Sequence, residues 1–245
     1  MTGSWISIAT PEGGRFQAYL SKPAQGSGPG LVLCQEIFGV TADMRGLADL
    51  FAEEGYVVVV PDLFWRLEPR IELGHDEEGL RRALDLATRL DSAAAMRDIA
   101  AAVSALRHEP ACRGRIGILG HCRGGRLAVM AAAQGIVDCA VSYYGVGIEA
   151  GIDPLPLAPG PILLHFAGAD RYVPASTVET IGTRLAGRSD IEIHVYPEMD
   201  HGFANPGRDA YNKQAADMAH TRTIALLRRV MGPHYDLSAR WEAHR

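Results

Sequence analysis

The chain has 245 residues, 47% of them hydrophobic and 22% charged, with a formal net charge of −5 and a pI near 6.0. That length suits one large α/β domain with a substantial core. The mild acidity argues against a nucleic-acid or anionic-membrane partner, which would call for a basic face. The first six residues have neither a basic n-region nor a long apolar h-region, so no signal peptide is expected. No apolar run reaches the roughly 18 residues of a membrane span. Cys34, Cys112, Cys122 and Cys139 are scattered, with no CxxC pair and no histidine at ligand spacing. That pattern suits reduced thiols in a cytoplasm better than a disulfide frame, and no metal site is expected.

Taken in order, residues 15–20 alternate in character and predict a half-exposed edge strand, followed by a Pro/Gly/Ser-rich loop over 21–30. Residues 30–34 are a short buried strand, ended by Gln35-Glu36-Ile37-Phe38-Gly39. A helix follows, with Thr41 as N-cap and apolar spacing through Met44, Leu47, Leu50 and Phe51. The β-branched run over 56–60 belongs in a parallel sheet covered on both faces. Residues 68–78 are polar and irregular, a surface loop near the mouth of the sheet, and helices are expected over 78–90 and 92–107. Strands follow over 116–119, 138–143, 161–166 and 191–196, with helices over 127–133, 175–185 and 209–231. Strand and helix alternate along most of the chain, which predicts one mostly parallel, doubly wound α/β sheet with helices on both faces. The expectation is a single domain over 1–245, with its core at about 15–231 and a short amphipathic tail over 232–245. Whether that tail packs on its own chain or on a neighbour is open at this stage, so the expected state is a monomer or weak homodimer.

The chemistry centres on Gly120-His121-Cys122-Arg123-Gly124-Gly125, which joins an apolar strand to a helical run. Strand, tight Gly-x-nucleophile-x-Gly turn and helix is the layout of a nucleophile elbow, here with Cys where Ser is usual. A nucleophile on a sharp turn needs flanking residues without bulk, and the opening helix points its free N–H groups at the sulfur. In this layout the acid and then the histidine follow the nucleophile along the chain. Asp170 comes directly after the strand over 161–166, and His201 shortly after the strand over 191–196. Functional groups of open parallel sheets gather beyond the carboxyl ends of strands, which is where all three fall. A free thiol with a pKa near 8.5 is only a few per cent ionised at pH 7, so a neighbouring base is needed. Thiolate is also a good leaving group, so a cysteine here favours activated esters and lactones over peptides.

Gln35-Glu36-Ile37-Phe38-Gly39, the Cys elbow, Tyr143-Tyr144-Gly145-Val146-Gly147 and His201-Gly202-Phe203 together resemble the dienelactone hydrolase (carboxymethylenebutenolidase) family over residues 15 to 231. The resemblance implies an α/β-hydrolase fold, no cofactor, and hydrolysis of a small unsaturated lactone to a keto acid through an acyl-cysteine. It further implies Cys122 as nucleophile, His201 as base, Asp170 as its orienter, and Glu36 as partner of the resting thiol. The backbone N–H groups of Ile37 and Arg123 would form the oxyanion hole. Phe38, Arg81, Tyr144 and Asn205 are the positions expected to meet substrate.

Two departures from the family pattern bear on specificity. Arg123 stands where the family carries an apolar residue, and Asn205 stands where it carries an arginine that grips a substrate carboxylate. A general carboxylesterase or thioesterase is therefore the alternative within enzymes. The alternative outside them is a non-catalytic α/β-hydrolase-like binding or thiol-sensing protein. Degenerate relatives of that last kind normally lose a triad member, and this chain keeps all three.

Overall fold

Four consecutive valines, Val57 to Val60, cannot alternate between core and solvent, so the strand they form has to be covered on both faces. In the computed structural model, which describes residues 3–151 and 160–232, that strand lies inside an eight-stranded sheet. The elements are β1 (Ser4–Ala9), β2 (Arg15–Ser21), β3 (Gly28–Cys34), α1 (Ala42–Glu53), β4 (Val57–Pro61), α2 (Glu77–Arg89), α3 (Ser92–His108) and β5 (Cys112–His121). They continue with α4 (Arg123–Ala133), β6 (Cys139–Tyr143), β7 (Ile162–Ala167), α5 (Ala175–Arg184), β8 (Ile191–Tyr196) and α6 (Lys213–Met231). The strand order is β1-β2-β4-β3-β5-β6-β7-β8. From β4 to β8 neighbouring strands run parallel, while β1–β2 and β2–β4 are antiparallel.

Side chains leave a strand alternately to its two faces, and the core divides accordingly. Val32, Cys34, Val57 and Val59 pack with Ile99 and Val103 of α3, Leu127 of α4 and Ile181 of α5. Leu31, Leu33, Val58 and Val60 pack with Met44 and Phe51 of α1 and Ile224 and Leu227 of α6. Leu86 of α2 belongs to neither layer. It closes a small third cluster with Phe64 and Ile71, in the loops that follow β4.

Two expectations change. Residues 15–20 are not an edge strand: β1 pairs with β2 along its whole length, from Ser4↔Leu20 to Ala9↔Arg15, and takes the edge itself. β1 is largely exposed, so its sequence lacks the apolar density that marks a buried strand. The last helix begins at Lys213 rather than near 209, because the Asn212 side chain accepts a 3.0 Å hydrogen bond from the Ala215 N–H and caps it there. Thr41 caps α1 as expected, accepting from the Met44 N–H. Of the tail over 232–245, residues 233–245 lie outside the described residues. Among the described residues no helix is long and apolar enough to cross a membrane.

Candidate active site

β5 ends at His121 and α4 starts at Arg123, leaving Cys122 alone to turn the chain, at φ 55° and ψ −122°. That conformation is strained for a residue with a side chain and persists only where its surroundings hold it. The Cys122 N–H donates to the Tyr143 carbonyl at 3.0 Å. Its own carbonyl accepts from the Gly125 and Val146 N–H groups at 3.0 and 3.2 Å. The flanking glycines are required by space: a Cβ on Gly120 would lie 2.1 Å from the Gly124 oxygen, and one on Gly124 would lie 2.5 Å from the Gln35 oxygen. The turn lifts the sulfur beyond the carboxyl end of the sheet.

Asp170 and His201 follow the neighbouring strands β7 and β8. Asp170 Oδ1 accepts from the Tyr172 and Val173 N–H groups at 2.7 and 3.1 Å, which fixes the carboxylate. Its Oδ2 lies 2.7 Å from His201 Nδ1, and both side chains are buried. With Nδ1 committed to Asp170, Nε2 is left for the sulfur. The rings of Tyr144 and Tyr172 meet the imidazole edge-on at 4.8 and 4.9 Å. Burial works against a charge on His201, but the hydrogen bonds to Asp170 and Cys122, with the charges of both groups, outweigh it and push its pKa up to about 10. The structure thus brings Cys122, His201 and Asp170 into one chain of contacts.

Glu36 is also buried, and only one of its oxygens is engaged. Oε2 accepts from Asn205 Nδ2 at 3.0 Å and from Arg208 Nη1 at 3.4 Å, whereas Oε1 has no partner among the described residues. The carboxylate therefore makes no hydrogen bond to Cys122. Arg208 also lies over the Phe38 ring, with its guanidinium carbon 5.0 Å from the centroid. Neither the Ile37 nor the Arg123 N–H donates to a backbone carbonyl in the loops and caps among the described residues. Arg123 opens α4, where a helix leaves its first N–H groups free.

These groups open onto a cavity of about 210 Å³. Of the residues singled out in the sequence, Ile37, Phe38, Cys122, Arg123 and His201 line it. Three expected substrate contacts do not. Arg81 points away, bound to Glu78 at 2.6 Å on the exposed side of α2. Tyr144 is fully buried behind the histidine, and Asn205 is buried against Glu36. In their place stand Arg208, Tyr172, and Leu80, Leu84, Ala87 and Thr88 of α2. The α2 residues had a legible signal, since positions 80, 84, 87 and 88 share one helical face. Arg208 had none, because its meeting with Glu36 joins distant loops. His121, beside the nucleophile, does not line the cavity: its ring stacks on Tyr143 at 4.7 Å, and burial lowers its pKa to about 4.

A mostly parallel sheet with a cysteine on a sharp elbow after β5, and an aspartate and a histidine in contact after β7 and β8, has the α/β-hydrolase fold. A solved structure from Klebsiella pneumoniae, assigned provisionally to dienelactone hydrolase, superposes with a TM-score of 0.78 at 28% identity, covering 91% of this chain and 97% of that one. The profile of the dienelactone hydrolase family matches residues 16–231, and the chain belongs to that family, a family of carboxylic ester hydrolases. It is 37% identical over 223 residues to a carboxymethylenebutenolidase of Pseudomonas putida, covering 91% of this chain and 94% of that one. It is 34% identical over 234 residues to carboxymethylenebutenolidase 1 of Cupriavidus pinatubonensis, covering 95% and 100%.

Proposed function

We propose that the chain opens a small lactone or enol ester of the dienelactone type by way of an acyl-cysteine at Cys122, releasing a keto acid such as maleylacetate. The observation that carries this reading is the 2.7 Å contact between Asp170 and a histidine whose other side engages the elbow cysteine.

In the proposed sequence His201 holds the thiol proton, and the sulfur attacks the ester carbonyl. The C–S bond forms as the carbonyl becomes an oxyanion, which in this reading the Ile37 and Arg123 N–H groups receive. Each such donor is worth roughly 3–4 kcal/mol of barrier. Collapse breaks the ring C–O bond. The departing enol oxygen takes the proton from His201 and tautomerises to the ketone. His201 then takes a proton from water, the hydroxide adds to the thioester, and the thiolate leaves. Asp170 keeps the imidazole in one orientation and stabilises its protonated form. The reading also gives Glu36, whose Oε1 is unpartnered among the described residues, a part in activating the thiol when substrate arrives.

Steady-state hydrolysis of cis- and trans-dienelactone beside a nitrophenyl ester, with wild type and Cys122→Ala, tests the reading. The lactones should be the better substrates, and the variant should lose more than about a thousandfold in kcat. Activity on the nitrophenyl ester alone would favour a general carboxylesterase. Full activity in the variant would remove the mechanism.

A further inference from the structure

The side chain of Arg123 has no role in the steps above, yet it forms part of the cavity wall next to the nucleophile. It is half-buried and, among the described residues, pairs with no carboxylate. Its hydrogen bond from Nη2 to Ser92 Oγ is 3.4 Å, at the weak end of the range, and its Nε is buried without a partner. The charges it feels are the Arg126 cation, which repels it, and Cys122, while burial itself works against its charge. A guanidinium held this way is costly unless something anionic arrives to meet it. The cavity's other cations are already committed, Arg208 to Glu36 and His201 to Asp170. Most of the remaining wall, including Ile37, Leu80, Leu84 and Val146, is apolar. One uncompensated cation in an otherwise apolar pocket selects for one negative charge on the ligand.

We propose that Arg123, braced by Ser92 at the start of α3, is the specificity-determining residue of this site and holds a carboxylate of the substrate at the corner between α2 and α3. A fork of guanidinium N–H groups binds a carboxylate at two points, so it fixes the ligand's direction as well as its charge. The carboxylate is thereby anchored from the nucleophile's own helix, leaving Arg208 to serve Glu36. The inference rests on the hydrolase reading only in that the compound held is an ester or lactone.

Two measurements test it. The first compares kcat/KM for mono-4-nitrophenyl glutarate and for its neutral methyl ester, in wild type, Arg123→Leu and Arg123→Gln. Wild type should prefer the anionic ester, and in both variants the ratio should fall by at least about tenfold, mainly through KM. The glutamine variant keeps a hydrogen-bonding group where the leucine variant could disturb packing. The second measures binding of monomethyl glutarate to Cys122→Ala protein by calorimetry, with and without the change at Arg123. Binding that is weakened by the change, and by added salt, supports the subsite. An unchanged ratio together with unchanged binding overturns it. If wild type turns over neither ester, the hydrolase reading fails, and the binding measurement still decides the subsite.

Discussion

Arg208 Nη1 lies 3.4 Å from Glu36 Oε2, a contact between residues 172 positions apart in the chain. It joins the loop after His201 to the loop after β3, so one side of the cavity is closed by a charge pair rather than by the sheet. His75 Nδ1 lies 2.9 Å from the Gly207 oxygen and ties the approach to α2 to the same loop. The Glu36 side chain is only 2% exposed, and among the described residues Arg208 supplies its one countercharge by direct contact.

Removing that countercharge should therefore be expensive. Arg208→Met leaves a buried carboxylate with Asn205 as its remaining partner and should cost about 3 kcal/mol in urea unfolding. Adding Glu36→Gln removes the stranded charge as well, so the double variant should recover most of the loss. A double variant no more stable than Arg208→Met alone would show that the pair does not carry the stability assigned to it.

The proton on His201 is held against burial by Asp170 and by Cys122. Cys122→Ala and Asp170→Asn should each move the imidazole's titration, followed by NMR, to lower pH. The folded pKa of about 10 lies above the unfolded value, so this group's contribution to stability is complete below about pH 6.5 and is lost as pH rises through 10. Wild type should lose stability over that interval, and Cys122→Ala should lose less.

Two glycine-to-alanine changes should have opposite signs. At Gly124 the new methyl would meet the backbone oxygens of Gln35 and Cys34 at 2.5 and 2.6 Å, so Gly124→Ala should cost about 3 kcal/mol or prevent folding. Gly46, inside α1, has open space where a Cβ would go. Gly46→Ala should stabilise by about 0.5–1 kcal/mol, through helix propensity and a less flexible unfolded chain. Thermal or denaturant unfolding of the two variants separates the cases.

Acid should weaken the fold through buried histidines. Burial holds His121 at about 4 and His165 well below its usual value. The unfolded chain takes up these protons from about pH 6.5 downward while the folded chain resists, so stability present above pH 6.5 is lost as pH falls. For His121 alone the loss by pH 4 is about 3 kcal/mol. His121→Phe keeps a ring on Tyr143 and removes an Nδ1 that has no partner, so it should flatten the fall in urea midpoint between pH 7 and 4.5. An unaltered slope would place the acid sensitivity elsewhere, with His165 the next group to test.

The elbow was legible because its constraint is local. A residue that must turn a strand into a helix needs small neighbours two positions either side, and Gly120 and Gly124 announce it in six letters. Asp170 and His201 were legible through chain order, since each follows a strand that its apolar content marks as buried. Arg81 misled for a related reason: its place on α2 was readable, but its direction depends on the turn of that helix over the cavity. Asn205 was read as facing substrate, and the structure instead sets it against Glu36.

By itself the sequence determined the alternation of strands and helices, the tight cysteine turn, and the order in which Cys122, Asp170 and His201 follow their strands. These follow from side-chain period and backbone sterics, which act over a few neighbouring residues. Only the tertiary structure decided that β1 takes the sheet's edge, that α2 turns Leu80 and Leu84 into the cavity, that Arg208 is bound to Glu36, and that Arg123 pairs with no carboxylate among the described residues. Those outcomes depend on which loops meet across the carboxyl end of the sheet, and no local pattern in the chain encodes such a meeting.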